Sequence, residues 1–166
     1  MEKEDFHIDM SGRIYENKNI GIALVGAKTK INFGCVIKRN LLKLIKKELF
    51  KDNIFKDSAK LYAICIYLLL KKIKDSINIL IICNDEDFDI VKNVLFQLLK
   101  DANFEIINIS EFRKRLGRNI GSLADNYANI YRRKALKPHK WSKGKEIKVI
   151  EIYYHIIKET WSKISD

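Results

Sequence analysis

Proline is almost missing from this chain. Pro138 is the only one in 166 residues, and no Pro-, Gly- or Ser-rich stretch offers a linker. One continuous fold over residues 1–166 is therefore expected rather than two domains. Cysteine is scarce as well. Cys35, Cys65 and Cys83 lie in apolar segments, odd in number and without paired spacing, which excludes a disulfide framework and a zinc site. Buried free thiols in a reducing cytoplasm fit them best. No unbroken apolar run exceeds the ten residues of LYAICIYLLL, too short for a bilayer, and the acidic opening MEKEDFHID has no signal-peptide core. A cytoplasmic protein without a membrane partner is expected. The glycines of LVGAKTK and RLGRNIG lack phosphate-loop spacing, and there is no Gly-x-Ser-x-Gly elbow. Nor does any cysteine have an electropositive exposed setting.

Apolar side chains and positive charge are what the chain has in quantity. Hydrophobic residues make up 47% and aromatics 10%, enough to offset chain entropy with one sizeable core. Lys and Arg number 32 against 21 Asp and Glu, a formal charge of +11. Such a charge attracts polyanions, with nucleic acid or an anionic membrane surface the natural partners. A Lys- and Ile-rich composition by itself would also produce it.

FHIDM and NIGIALVGAK are β-rich runs joined by the polar ENKN, as in a hairpin. KINFGCVIK alternates Ile31, Phe33, Cys35 and Ile37 with polar or small residues, the period of a strand. Helical rhythm then takes over in NLLKLIKKELF, with Leu41, Leu44, Ile45 and Leu49 on one stripe. DSAKLYAICIYLLLKKIK opens with the cap-type residues Asp57 and Ser58 and is apolar nearly all round, a buried helix. INILIIC reads as a central parallel strand, FDIVKNVLFQLLKDA as an amphipathic helix, and FEIINI as a fifth strand. Helices over roughly 122–135 and 146–164 flank a basic loop, residues 131–146. In the last helix Ile147, Ile150, Tyr154, Ile157 and Trp161 share a stripe suited to core packing or a homodimer contact. The fold expected is α/β: a five-stranded mixed sheet, an antiparallel three-strand meander plus two parallel strands, with helices on both faces.

Acidic residues stand where such a sheet places a site, near the carboxyl ends of central strands. Asp9 interrupts the apolar first strand, although strands deplete Asp; Ile8 and Met10 alternate with it, so its face is either wet or neutralised by cations. INILIIC ends in Asn84, Asp85, Glu86 and Asp87. One or two of these acids suffice to begin the next helix, leaving a surplus. In IGSLADNYANIYRR, Asp125 follows Ser122 by three residues and either completes a capping pair or, between the small Ala124 and Ala128, points inward with Leu123 and Tyr127.

The strand order, with HIDMSG at one end and SLADNYANIYRR at the other, resembles the ribonuclease H-like superfamily. Within it the chain is similar to a poorly characterised branch that opens with Asp-x-Ser-Gly and closes with an Ala-Asp helix followed by basic residues. The resemblance spans about residues 5–135. It implies that strands one and four are parallel neighbours and that Asp9, Asp85 and Asp125 hold Mg²⁺ or Mn²⁺ for phosphodiester hydrolysis. Asp9 would bridge two ions, Asp85 hold one and Asp125 the other, with Ser11, Asn84 and Asn129 as supporting donors. Clustered carboxylates repel one another unless cations neutralise them. Two ions about 4 Å apart activate the attacking water and stabilise the leaving oxygen. The superfamily's fourth acid, a Glu near the start of the helix before strand four, has no match. Lys60 stands in the approximate place, and Asp57 and Glu48 are the candidate substitutes.

YRRKALKPHKWSKGKE supplies a candidate nucleic-acid surface: Arg132, Arg133, Lys134, Lys137 and Lys140 for phosphates and Trp141 for stacking. Arg113, Lys114, Arg115 and Arg118 would extend it. His7 and His155 read as structural. A metal-dependent nuclease acting on RNA, an RNA–DNA hybrid or structured DNA is the leading expectation. A non-catalytic nucleic-acid-binding module on the same fold, or a scaffold protein, are the alternatives.

Overall fold

The computed structural model describes residues 2–51, 53–71, 73–117, 123–134 and 147–165. Strands β1 (Glu4–Ser11), β2 (Ile20–Gly26) and β3 (Asn32–Ile37) form an antiparallel meander. Helices α1 (Arg39–Leu49) and α2 (Ile54–Leu70) follow, and a single 3₁₀ turn leads to β4 (Ile77–Ile82). Then come α3 (Phe88–Leu98), β5 (Glu105–Asn108), α4 (Ile109–Leu116), α5 (Leu123–Lys134), β6 (Ile147–Ile150) and α6 (Tyr154–Ser162). The sheet order is β5-β4-β1-β2-β3-β6. β4 runs parallel to β1 and to β5, so the meander is extended by two parallel strands.

Six strands rather than five make the sheet. The segment expected to continue one helix over 146–164 is divided: IKVI pairs in parallel with the outer edge of β3, and α6 begins only at Tyr154. A β-branched run suits a strand, and the exposed backbone edge of β3 supplies the partner. Two helix starts also differ from expectation. Asn53, not Asp57, caps α2 by accepting from the Phe55 and Lys56 amides; the Asp57 carboxylate instead accepts from the Lys51 N–H at 3.0 Å. The helix α4 was not expected at all, yet Asn108 caps it by accepting from the Glu111 N–H at 2.8 Å, and Gly117 closes it at φ 65°.

Alternation along β1 sorts the two faces. Phe6, Ile8 and Met10 join the main core with Leu42 of α1, Tyr62 and Ile66 of α2, Val91 of α3 and Ile157 of α6. His7, Asp9 and Ser11 therefore face the other side, which α4 and α5 cover. Beneath α5 the sheet is built from small residues. Ala23 and Val25 of β2 and Val36 of β3 meet Ala124, Ala128 and Tyr131. At Gly21 a methyl group would lie 2.1 Å from the Ala128 carbonyl oxygen and 2.6 Å from the Arg132 nitrogen. Only glycine admits this approach, which brings the end of α5 beside the end of β1. All residues of β2 and β3 are buried as a result, including the small and polar side of β3. Among the described residues no helix is long and apolar enough to cross a membrane.

Candidate functional site

Parallel pairing of β1 with β4 carries both chains to the same end of the sheet. Ile8 lies opposite Ile82, and the Cys83 N–H donates to the Ile8 carbonyl at 3.1 Å. Just past this last ladder bond, the Asp9 and Asp85 side chains are hydrogen-bonded to each other. Asp9 is only 7% exposed, and its Oδ1 accepts from the Met10 N–H at 2.8 Å. The Cys83 thiol also hydrogen-bonds Asp9. Two carboxyl groups in hydrogen-bond contact require a proton between them. Burial first, and then the contact with Asp9, pushes the Asp85 carboxyl up to about 8 against the opposing pull of the Met10 amide. Asp85 is itself exposed at the surface, so solvent reaches the pair. Burial likewise pushes Glu86 up to about 7, against the pull of Arg13. Asp87 is the acid of this turn that begins a helix, accepting from the Asp89 and Ile90 amides at 3.1 Å.

Three groups that the sequence did not single out complete this end. Tyr62 of α2 is fully buried, its hydroxyl has no hydrogen-bond partner among the described residues, and it feels the charges of Asp85, Asp9 and Glu86. Burial, reinforced by those carboxylates, holds the phenol protonated far above its ordinary range. Arg13 follows β1 and sits within electrostatic range of Asp85 and Glu86. Cys83 is driven upward by burial and by Asp9, so it stays a thiol. Tyr62 reads in sequence as one more core aromatic and Arg13 as a lone turn cation. Neither carries a motif.

Asp125 is not brought inward. The buried face of α5 is Ala124, Ala128 and Tyr131, whereas Leu123 and Asp125 are exposed and Tyr127 is half-buried. The alanines do allow close packing, but Asp125, one position on from Ala124, is turned about 100° away from that face. The fourth-acid candidates are elsewhere too. Asp57 is bonded to Lys51, Glu48 lies beside Lys47 on the surface, and the Lys60 ammonium lies 5.8 Å from the Trp161 ring centroid. Of the supporting donors, Asn84 turns away to Ser110 at 2.7 Å. Ser11 and Asn129 instead orient a cation: the Arg132 Nε donates to the Ser11 hydroxyl at 2.9 Å and its Nη2 to Asn129 at 3.4 Å. Gly12, at φ +88°, lets the chain turn beside the Arg132 stem.

Arg133 and Lys134 project from the exposed end of α5. Lys137, Lys140 and Trp141 lie outside the described residues, as does Arg118. Arg115 is already engaged with Glu105 and Glu111 at 2.6 and 2.7 Å. His7 is packed edge-on to Phe112 at 5.2 Å, and burial lowers its pKa.

The donor set suits a hard cation. A divalent ion would replace the proton that the Asp9–Asp85 pair otherwise needs, and Mg²⁺ is commonly held by one or two carboxylates plus waters and substrate phosphates. A protonated thiol at Cys83 contributes no soft ligand. Among the described residues no three His, Cys, Asp or Glu side chains form a ready-made metal cage, so the third carboxylate of a two-ion site is not assembled.

Fold and site together define an α/β protein with a mixed sheet and a carboxylate pair at the ends of two central parallel strands. Compared with known proteins, the chain matches no family model, no curated protein and no solved structure.

Proposed function

We propose that this protein is a metal-dependent nuclease of ribonuclease H-like fold, hydrolysing phosphodiester bonds in RNA, an RNA–DNA hybrid or structured DNA. The observation that carries the reading is the hydrogen-bonded Asp9–Asp85 pair where parallel β1 and β4 end, the arrangement the sequence resemblance anticipates. Asp9 and Asp85 would hold one Mg²⁺ or Mn²⁺, while Asp125, exposed on α5, is not assembled with them. Such a cation would supply an activated water and stabilisation of the leaving oxygen.

The chain's own residues do the rest. Arg132, fixed by Ser11 and Asn129, and Arg13 offer positive charge to the phosphate. Glu86, pushed up to about 7, is matched to proton exchange near neutral pH. The protonated Tyr62 phenol lies within electrostatic range of the carboxylates. Arg133, Lys134, Lys137, Lys140 and Trp141 extend the nucleic-acid surface. The free cysteines fit a cytoplasmic setting, and a homodimer would present two sites, as resolving a DNA junction requires.

One observation favours a second reading. The exposed position of Asp125 leaves the pair short of a third carboxylate, as a non-catalytic nucleic-acid-binding module would. Cleavage of labelled single-stranded RNA, RNA–DNA hybrid, duplex DNA and a four-way junction, with Mn²⁺, Mg²⁺ or chelator, separates the two. Metal-dependent cutting that is lost in Asp9→Asn at equal thermal stability supports the nuclease. Salt-dependent binding without cutting supports the module.

A further inference from the structure

The loop after β1 carries Arg13 and Tyr15, and the first turn of α2 carries Ile54 and Phe55. Tyr15 and Phe55 pack edge-to-face, centroids 5.9 Å apart at 66°. Phe55 is 62% exposed, Tyr15 37% and Ile54 43%, an unusual outlay of apolar surface at a helix start, where polar residues would satisfy the backbone equally well. Arg13 lies over the Tyr15 ring, 5.7 Å from its centroid, and donates to the Tyr15 hydroxyl. The same Arg13 follows the strand that carries Asp9 and lies within electrostatic range of Asp85 and Glu86. Lys51 and Lys56 flank Phe55 in the chain, and the one acid of this turn, Asp57, is buried against the Lys51 amide.

We infer that Tyr15 and Phe55, with Arg13 between them and the acid pair, form a stacking platform for unpaired bases, so that the site takes single-stranded nucleic acid beside the phosphate it acts on. An exposed ring accepts any base face, and a guanidinium beside it holds the backbone. A duplex keeps its bases stacked on one another and has no free face to offer. The inference rests on the nucleic-acid reading of the Asp9–Asp85 site and narrows it to single-stranded substrates.

The test measures binding by fluorescence anisotropy, in chelator so that nothing is cut, with a labelled oligouridylate and a DNA duplex of equal charge. Phe55→Ala and Phe55→Leu are expected to weaken oligouridylate binding about tenfold, the loss of one stacked base, with duplex binding unchanged. Phe55→Trp is expected to restore it. Arg13→Ala should lower the salt dependence by about one phosphate contact, whereas Phe55→Ala should leave it unaltered. Equal losses on both probes, or none, would overturn the platform; so would a Phe55→Ala protein that dissociates from dimer to monomer with full affinity, since the patch would then belong to a second copy. Metal-dependent cleavage with unaltered oligouridylate affinity in Phe55→Ala would remove the platform and leave the nuclease. Selective, Phe55-dependent single-strand binding without cleavage would remove the nuclease and leave the platform.

Discussion

The side chains of Asp9 and Asp85 are hydrogen-bonded to each other across the junction of β1 and β4. Two acids from distant parts of the chain meet because their strands are parallel neighbours that end together. Such a pair is stable without a cation only while it keeps a proton.

That proton sets the sign of the pH dependence. An unfolded aspartate titrates near 3.9, and Asp85 in the folded chain is pushed up to about 8 by burial and by Asp9. Between these values the folded state binds more protons than the unfolded state, so metal-free stability falls as pH rises from about 4 to about 8. Glu86, pushed up to about 7, acts in the same direction. Urea denaturation across this window is expected to show a declining midpoint in the wild type and a flatter profile in Asp85→Asn. A midpoint that rises with pH in chelator would contradict the shared proton.

Gly21→Ala probes the close approach of α5. The added methyl would meet backbone atoms at 2.1 and 2.6 Å, and backbone yields less than a flexible side chain. A loss of about 3 kcal/mol is expected, measured by urea denaturation. Nucleic-acid affinity at a temperature where the variant remains folded should fall as well, because Arg132 no longer reaches Ser11.

Tyr62→Phe separates packing from polarity. The ring fills the same core volume, while a buried hydroxyl without a protein partner costs desolvation energy. The variant is expected to gain about 1 kcal/mol of stability in chelator. It should also bind Mn²⁺ more weakly, since the hydroxyl within electrostatic range of Asp85 and Asp9 is gone. A stability loss with unaltered Mn²⁺ binding would place the hydroxyl in a purely structural bond.

Much of this architecture is written in local patterns. The first five strands and four of the helices follow from apolar period and flanking polar residues, because each buries a face that its own sequence advertises. β6 is hidden because Ile147 and Ile150 stand at a spacing that equally continues the stripe of Tyr154, Ile157 and Trp161. Only the distant edge of β3 decides between strand and helix. The helix α4 buries Ile109 alone, so its periodicity is faint, although Asn108 and Glu111 show a capping pair. The Asp9–Asp85 meeting is legible because both acids are tied to strand ends. The direction of Asp125 is less so: two alanines four apart define a buried face, but only the helix's rotation against the sheet fixes where the neighbouring carboxylate points. Tyr62 and Arg13 become functional candidates solely through tertiary contact.

The decisive measurement is Mn²⁺ binding to the wild type, Asp9→Asn and Asp85→Asn, followed by electron paramagnetic resonance at pH 8. Saturable binding by the wild type is expected, lost in both variants while circular dichroism shows each still folded. No binding by the wild type, or binding that both variants retain, would contradict a cation site at the Asp9–Asp85 pair.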